Sequence, residues 1–202
     1  DGNDGPFLDE GRLMAEEGKP PLALTAQDAD ILWLFDMPRQ LQAEAHNAYN
    51  CSVLLRGDLL YVNTCNGVEW THSFVVHPEA PSLIAMDKRT GKLVARDEFG
   101  IGADITHGQW RSVAAGRVGD KTLGFFGAGN GVLYAFELLP PESLGQTGQL
   151  LRPAWKFHGH PLAQTQDRVP PDHQHDSTSY QVTGMPVFHR GRTYVTFTQE
   201  PY

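Results

Sequence analysis

The chain has 202 residues, 40% of them hydrophobic and 20% charged, an ordinary globular balance that leaves room for a buried core and excludes disorder throughout. A formal charge of −8 without a basic stripe argues against nucleic acid or an anionic membrane surface as the main partner. No apolar run approaches the ~20 residues that cross a bilayer, so no membrane span is expected. The chain opens on Asp1-Gly2 with neither an initiator Met nor a secretory leader, and reads as mature, trimmed or incomplete.

Residues 1–28 form an irregular lead-in. Its "DGNDGPFLDEG" is rich in oxygen ligands, but it misses the spacing of a calcium loop by one position and lacks the bidentate Glu at the twelfth, so it reads as a solvated turn. The first strand expected is "ADILWLFDM" (29–37). Next come "CSVLL" (51–55), a turn at Gly57-Asp58, and "LLYVNTC" (59–65). After a loop, "SLIAM" (82–86) turns through "DKRTG" into "KLVARDEF" (92–99). In that corner Asp87 and Thr90 can accept backbone N–H bonds and Gly91 supplies positive φ, a structural role for all three.

The pattern then recurs. "WRSVAAGRV" (110–118) turns at Gly119-Asp120 into "KTLGFFGAG" (121–129), followed by "GVLYAFEL" (131–138) and "LLRPAWKF" (150–157). A third copy opens with "GMPVFH" (184–189), turns at Arg190-Gly191 and runs through "RTYVTFT" (192–198). The turn glycines Gly57, Gly119 and Gly191 recur at a spacing of tens of residues, and Trp33, Ala95 and Trp155 fall at matching places, which is a repeat signal. Serial four-stranded antiparallel units with nearly continuous apolar strands predict an all-β fold, a β-propeller whose blades bury both faces against their neighbours.

Two stretches carry a resemblance. "AMDKRTGKLVA" (85–95) follows an Ala-x-Asp-x-x-Thr-Gly pattern with Ala95 where a Trp is usual, while "NGVLYAFE" (130–137) carries Glu137 in place of the Asp. On these residues the chain resembles the PQQ-like (quinoprotein-type) β-propeller repeat family over roughly residues 28–202. "NCSVLLRGDLLYVNTCNGVEW", "HGQWRS" and "GAGNGVLYAFE" resemble a bacterial, mostly uncharacterised subgroup of exported planctomycete-type proteins. The resemblance implies seven or eight blades in a full ring. This chain then holds only a partial ring: the end of one blade (29–37), full blades at 50–100 and 108–158, a His-rich loop at 158–180, and the start of another blade at 181–202. The expected partners are the remaining blades, from a missing segment or another chain, and a protein partner. Localisation is expected to be periplasmic or in the cell envelope, by resemblance.

Three functions follow, in this order: a scaffold or interaction module of the bacterial envelope, as in a similar outer-membrane assembly lipoprotein; a PQQ- and Ca²⁺-dependent oxidoreductase of alcohols or sugars; and binding of an extracellular glycan or other ligand through Trp70, His72 and Trp110. The family's dehydrogenases imply PQQ with Ca²⁺ as cofactors, with a Trp stacked on the quinone, and Trp110 is the candidate for that contact against a plainer role in packing. The residues assemble no catalytic set, and the vicinal cysteine pair of the alcohol dehydrogenases is absent. Nine histidines include "HGH" (158–160) and "HQH" (173–175); His158, His160, His173 and His175 are candidates for Zn²⁺ or Cu²⁺, against the plainer reading of a polar loop. "GAGNG" (127–131) joins two strands and is no phosphate cradle. Pairing about Gly57-Asp58 sets Cys51 opposite Thr64 and Cys65 opposite Asn50, so the thiols fall on opposite faces, and separate thiols are favoured over a cross-strand disulfide.

Overall fold

Two-residue turns set the registers. In a computed structural model describing residues 9–28, 30–47, 49, 51–105, 107–159 and 181–197, β1 (Leu54–Arg56) and β2 (Leu59–Asn63) pair about Gly57-Asp58 with Arg56 opposite Leu59. Gly57 has φ +60°, the conformation a tight hairpin demands at its first central residue. β2 continues antiparallel to β3 (Leu83–Asp87), and β3 to β4 (Leu93–Asp97). At the β3–β4 corner the Asp87 carboxylate accepts the Arg89 N–H and the Thr90 hydroxyl, and the Asp87 carbonyl accepts the Gly91 N–H. Gly91 has φ +66°, and a Cβ there would come within 2.5 Å of the Trp33 ring, whose Nε1 donates to the Lys88 carbonyl at 2.7 Å.

A second meander joins β5 (Ala114–Val118), β6 (Lys121–Gly127), β7 (Val132–Glu137) and β9 (Pro153–His158). Its first turn is Gly119-Asp120, with Gly119 at φ +63°. A short hairpin, β10 (Val187–His189) with β11 (Arg192–Tyr194), turns at Arg190-Gly191, both at positive φ. The all-β expectation holds, and among the described residues none of the sheets closes on itself.

Two expectations differ from the structure. Residues 31–36 form no strand: Trp33 docks on the β3–β4 corner instead, and the chain closes into helix α2 (Met37–Leu41) after a four-residue helix α1 (Glu10–Leu13) nearer the start. The Asp36 side chain accepts the Arg39 N–H, and Pro38 suits a first turn where its missing N–H costs nothing. The run expected as one strand over 150–157 is split. Its first part, β8 (Gln149–Leu151), lies parallel to β4 on the edge of the first sheet, and Pro153 opens β9 in the second. Proline lacks the N–H of a ladder residue and fits the first position of a strand.

The core follows period-2 alternation. Val132, Tyr134 and Phe136 of β7 face Leu59, Tyr61, Leu83 and Ala85 of the first sheet, and Phe99 stacks on Tyr134 at 4.7 Å between centroids. Leu133 and Ala135, with Leu123 and Phe125, face the other way, where Phe188 of β10 stacks on Phe125 at 5.3 Å. Gly116 of β5 leaves the space that the Phe188 ring fills. Both faces of β6 and β7 are therefore covered, which is why those two strands read as continuous apolar runs, while β9 stays largely exposed.

Candidate metal centre

A meander places alternate connections at opposite ends of its sheet. The tight corners at Gly57, Gly91 and Gly119 share one end. The lead-in to β1, the β2–β3 connection and the β4–β5 connection share the other, and each of these three contributes one histidine to a common cluster: His46, His72 and His107.

Backbone and side-chain bonds tie the three connections together. Asn66 Oδ1 accepts the Glu44 N–H at 2.8 Å, and the Gly67 N–H donates to the Glu44 carbonyl. The Val68 N–H donates to the His107 carbonyl at 2.8 Å, while the Val68 carbonyl accepts from His46 Nδ1 at 2.9 Å. Gly67 lies so close to the 107–108 backbone that a Cβ would meet the His107 carbonyl oxygen at 2.2 Å. Gln109, fully buried, donates from Nε2 to the Asn66 carbonyl and to Ser82 Oγ. Asn63, also buried, donates from Nδ2 to the Gln109 and Arg111 carbonyls. The Ser112 hydroxyl accepts the Ser52 N–H at 2.7 Å. The segment 107–112 thus rivets the end of the first sheet to the start of the second.

Within this frame the imidazoles converge. One nitrogen from each of His46, His72 and His107 lies within 4.8 Å of the other two. His72 Nε2 and His107 Nε2 are 3.4 Å apart, close to the ~3.3 Å edge of a tetrahedron with ~2.0–2.1 Å metal–nitrogen bonds. His46 is 1% exposed. A carbonyl can only accept, so His46 Nδ1 carries a proton; the other ring nitrogen, Nε2, which is the acceptor of a neutral ring, is buried and without a hydrogen-bond partner. Burial, with His46, His72 and Arg111 nearby, lowers the pKa of His107 and favours the neutral, ligating form. His72 is exposed, at φ +60° in a turn held by Glu69, whose carboxylate accepts the Thr71 and Ser73 N–H groups and the Thr71 hydroxyl. Those donors bring Glu69 down to about 2, the Thr71 hydroxyl contributing most.

Trp110 walls this cluster. Its Nε1 donates to the His46 carbonyl at 3.2 Å, its ring lies 5.1 Å from that of His107, and the Arg111 guanidinium sits 5.6 Å from its centroid. The ring packs so tightly on Gly108 that a Cβ there would meet it at 2.3 Å. The Trp110 ring is half-buried, with these packing contacts around it. Trp70 lies 79% exposed. His158 ends β9 opposite Val132, its pKa lowered by burial and by Lys156. His160, His173 and His175 lie outside the described residues, as do residues 1–8 of the lead-in. Of the histidines in the converging cluster, sequence reading singled out His72 alone, and only as a ligand contact. The signal for the set was topological: each sits in a connection at the same end of the meander. No protein-family model matches the chain, and no curated protein does.

Proposed function

We propose that this chain binds a divalent transition metal of the Zn²⁺ or Cu²⁺ class through His46, His72 and His107. The observation that carries the reading is the His46 Nε2 atom, buried without a hydrogen-bond partner beside two further imidazoles. A buried acceptor left unsatisfied costs about 1–3 kcal/mol, a cost that a metal bond removes. Three imidazoles suit these ions, and three protein ligands leave a fourth position for water or a small anionic ligand, as in catalytic more than structural sites. His72 is exposed, so the cluster reaches solvent. The His46 Nδ1–H bond to Val68 is the outer bond that fixes a ligating ring.

The test is metal analysis with calorimetric titration of the metal-stripped chain. One equivalent of Zn²⁺ or Cu²⁺ is expected, lost in His46→Ala and weakened at least tenfold in His72→Ala and His107→Ala. Equal affinity in all four proteins would sink the reading.

The second reading is the partial PQQ-like propeller acting as an interaction scaffold. It is supported by serial stacking, the second sheet on the first and Phe188 on the second. Both meanders also slip register at the same place, after Ala85 opposite Ala95 and after Ala135 opposite Trp155. A crystal structure with β1 and β5 innermost around one axis would support it, and a sandwich sealed by the outer faces would overturn it.

A further inference from the structure

Cys51 and Cys65 are present as thiols with no disulfide between them. Their sulfurs nevertheless meet at one atom: Cys51 Sγ lies 3.2 Å from the Asn63 carbonyl oxygen and Cys65 Sγ 3.9 Å from the same oxygen. The register is the one read from the turn, yet its consequence for the thiols does not follow. Strand pairing stops at Leu54 opposite Tyr61, and Cys65 adopts φ +58°, which breaks the alternation of faces. Asn63 Oδ1 holds that turn by accepting the Cys65 N–H at 2.8 Å. Cys51 is half-buried and reachable from solvent, whereas Cys65 is fully buried behind it.

We propose that Cys51 and Cys65 are a redox-active dithiol that closes reversibly to an intramolecular disulfide, Cys51 attacking and Cys65 resolving. The oxidant is a low-molecular-weight disulfide of the glutathione type. The Cys51 thiolate attacks one of its sulfurs, forming a mixed disulfide and expelling one thiolate. The Cys65 thiolate then attacks the Cys51 sulfur and expels the second. Two electrons pass to the oxidant, and the protons of the two protein thiols end on the two released thiols. The hydrogen bond to Cys65 is the largest cause of a Cys51 pKa lowered to about 7, so a large share of it is thiolate at neutral pH. An accessible low-pKa thiol beside a buried resolving one is the arrangement of redox-sensing pairs. The proposal does not depend on the metal reading.

The experiment equilibrates the whole chain with reduced and oxidised glutathione at neutral pH, with EDTA present, followed by acid quench, alkylation and mass spectrometry. The expected product is a monomer two hydrogens lighter that takes up no alkylating agent. Cys65→Ser is expected to stop at a glutathione adduct on Cys51, and Cys51→Ser to leave Cys65 unmodified. In native protein N-ethylmaleimide should label Cys51 at least tenfold faster than Cys65, a preference that vanishes in urea. Two alkylatable thiols at every glutathione ratio, a disulfide only between chains, or equal native labelling rates would each overturn the proposal.

Discussion

Asn63→Ala removes the side chain that holds three backbone groups in two segments at once. Nδ2 donates to the Gln109 and Arg111 carbonyls at 2.9 and 3.0 Å, and Oδ1 accepts the Cys65 N–H at 2.8 Å, all with Asn63 1% exposed. Alanine leaves one buried N–H and two carbonyls to find other partners. An orphaned N–H costs about 1–3 kcal/mol and each carbonyl, with its second lone pair, about 1 kcal/mol, for a total of about 3–5 kcal/mol. That is a large part of the ~5–15 kcal/mol that holds a typical domain together. Urea unfolding followed by tryptophan fluorescence should show a lower midpoint at unchanged slope. Asn63→Asp keeps the acceptor for Cys65 but turns a carboxylate oxygen towards the two carbonyls, and should be at least as damaging. A loss below ~1 kcal/mol in both variants would refute the reasoning that Asn63 rivets the two sheets.

Tyr61→Phe leaves the Leu139 N–H without the phenol oxygen it reaches at 2.7 Å, and a loss of about 1–2 kcal/mol is expected in the same assay. Burial also pushes the Tyr61 phenol up to about 12, so ultraviolet titration of the variant should lack one late-ionising tyrosine that the wild-type chain shows. Gly91→Ala forces an L-residue to φ +66° and a methyl into the Trp33 ring; about 1–2 kcal/mol from the backbone alone is expected, with a red shift of Trp33 emission. Glu69 is held at about 2 against an ordinary 4.5, so its contribution to stability is fully present above 4.5 and is lost as pH falls through the folded value. The acid unfolding curve of Glu69→Gln should therefore be flatter across that window, and identical acid limbs would count against the Glu69 turn.

How much was legible in the sequence depends on the range of the interaction. Gly57, Gly119 and the Asp87–Gly91 corner follow from local backbone chemistry, and continuous runs such as "LGFFG" announce strands covered on both faces. Those signals act within a few residues, so strand order along each meander and the register at Gly57-Asp58 could be read before any coordinates. Residues 31–36 and the division of 149–158 could not, because apolar strand-type runs also suit a segment that docks by one Trp ring, or one that changes sheets at a proline.

The candidate site lies on the far side of that divide. His46, His72 and His107 are separated by dozens of residues, and only the stacking of one sheet on the next, fastened by Asn63, Gln109 and Val68, carries their rings to one point. The same holds for the thiols, which alternation assigns to opposite faces until φ +58° at Cys65 turns one back. Short-range sterics and hydrophobic period thus settled the strands and corners from the amino acids alone. Convergence of side chains from separate connections needed the packed tertiary structure, because no local rule relates residues that meet only after the sheets have stacked.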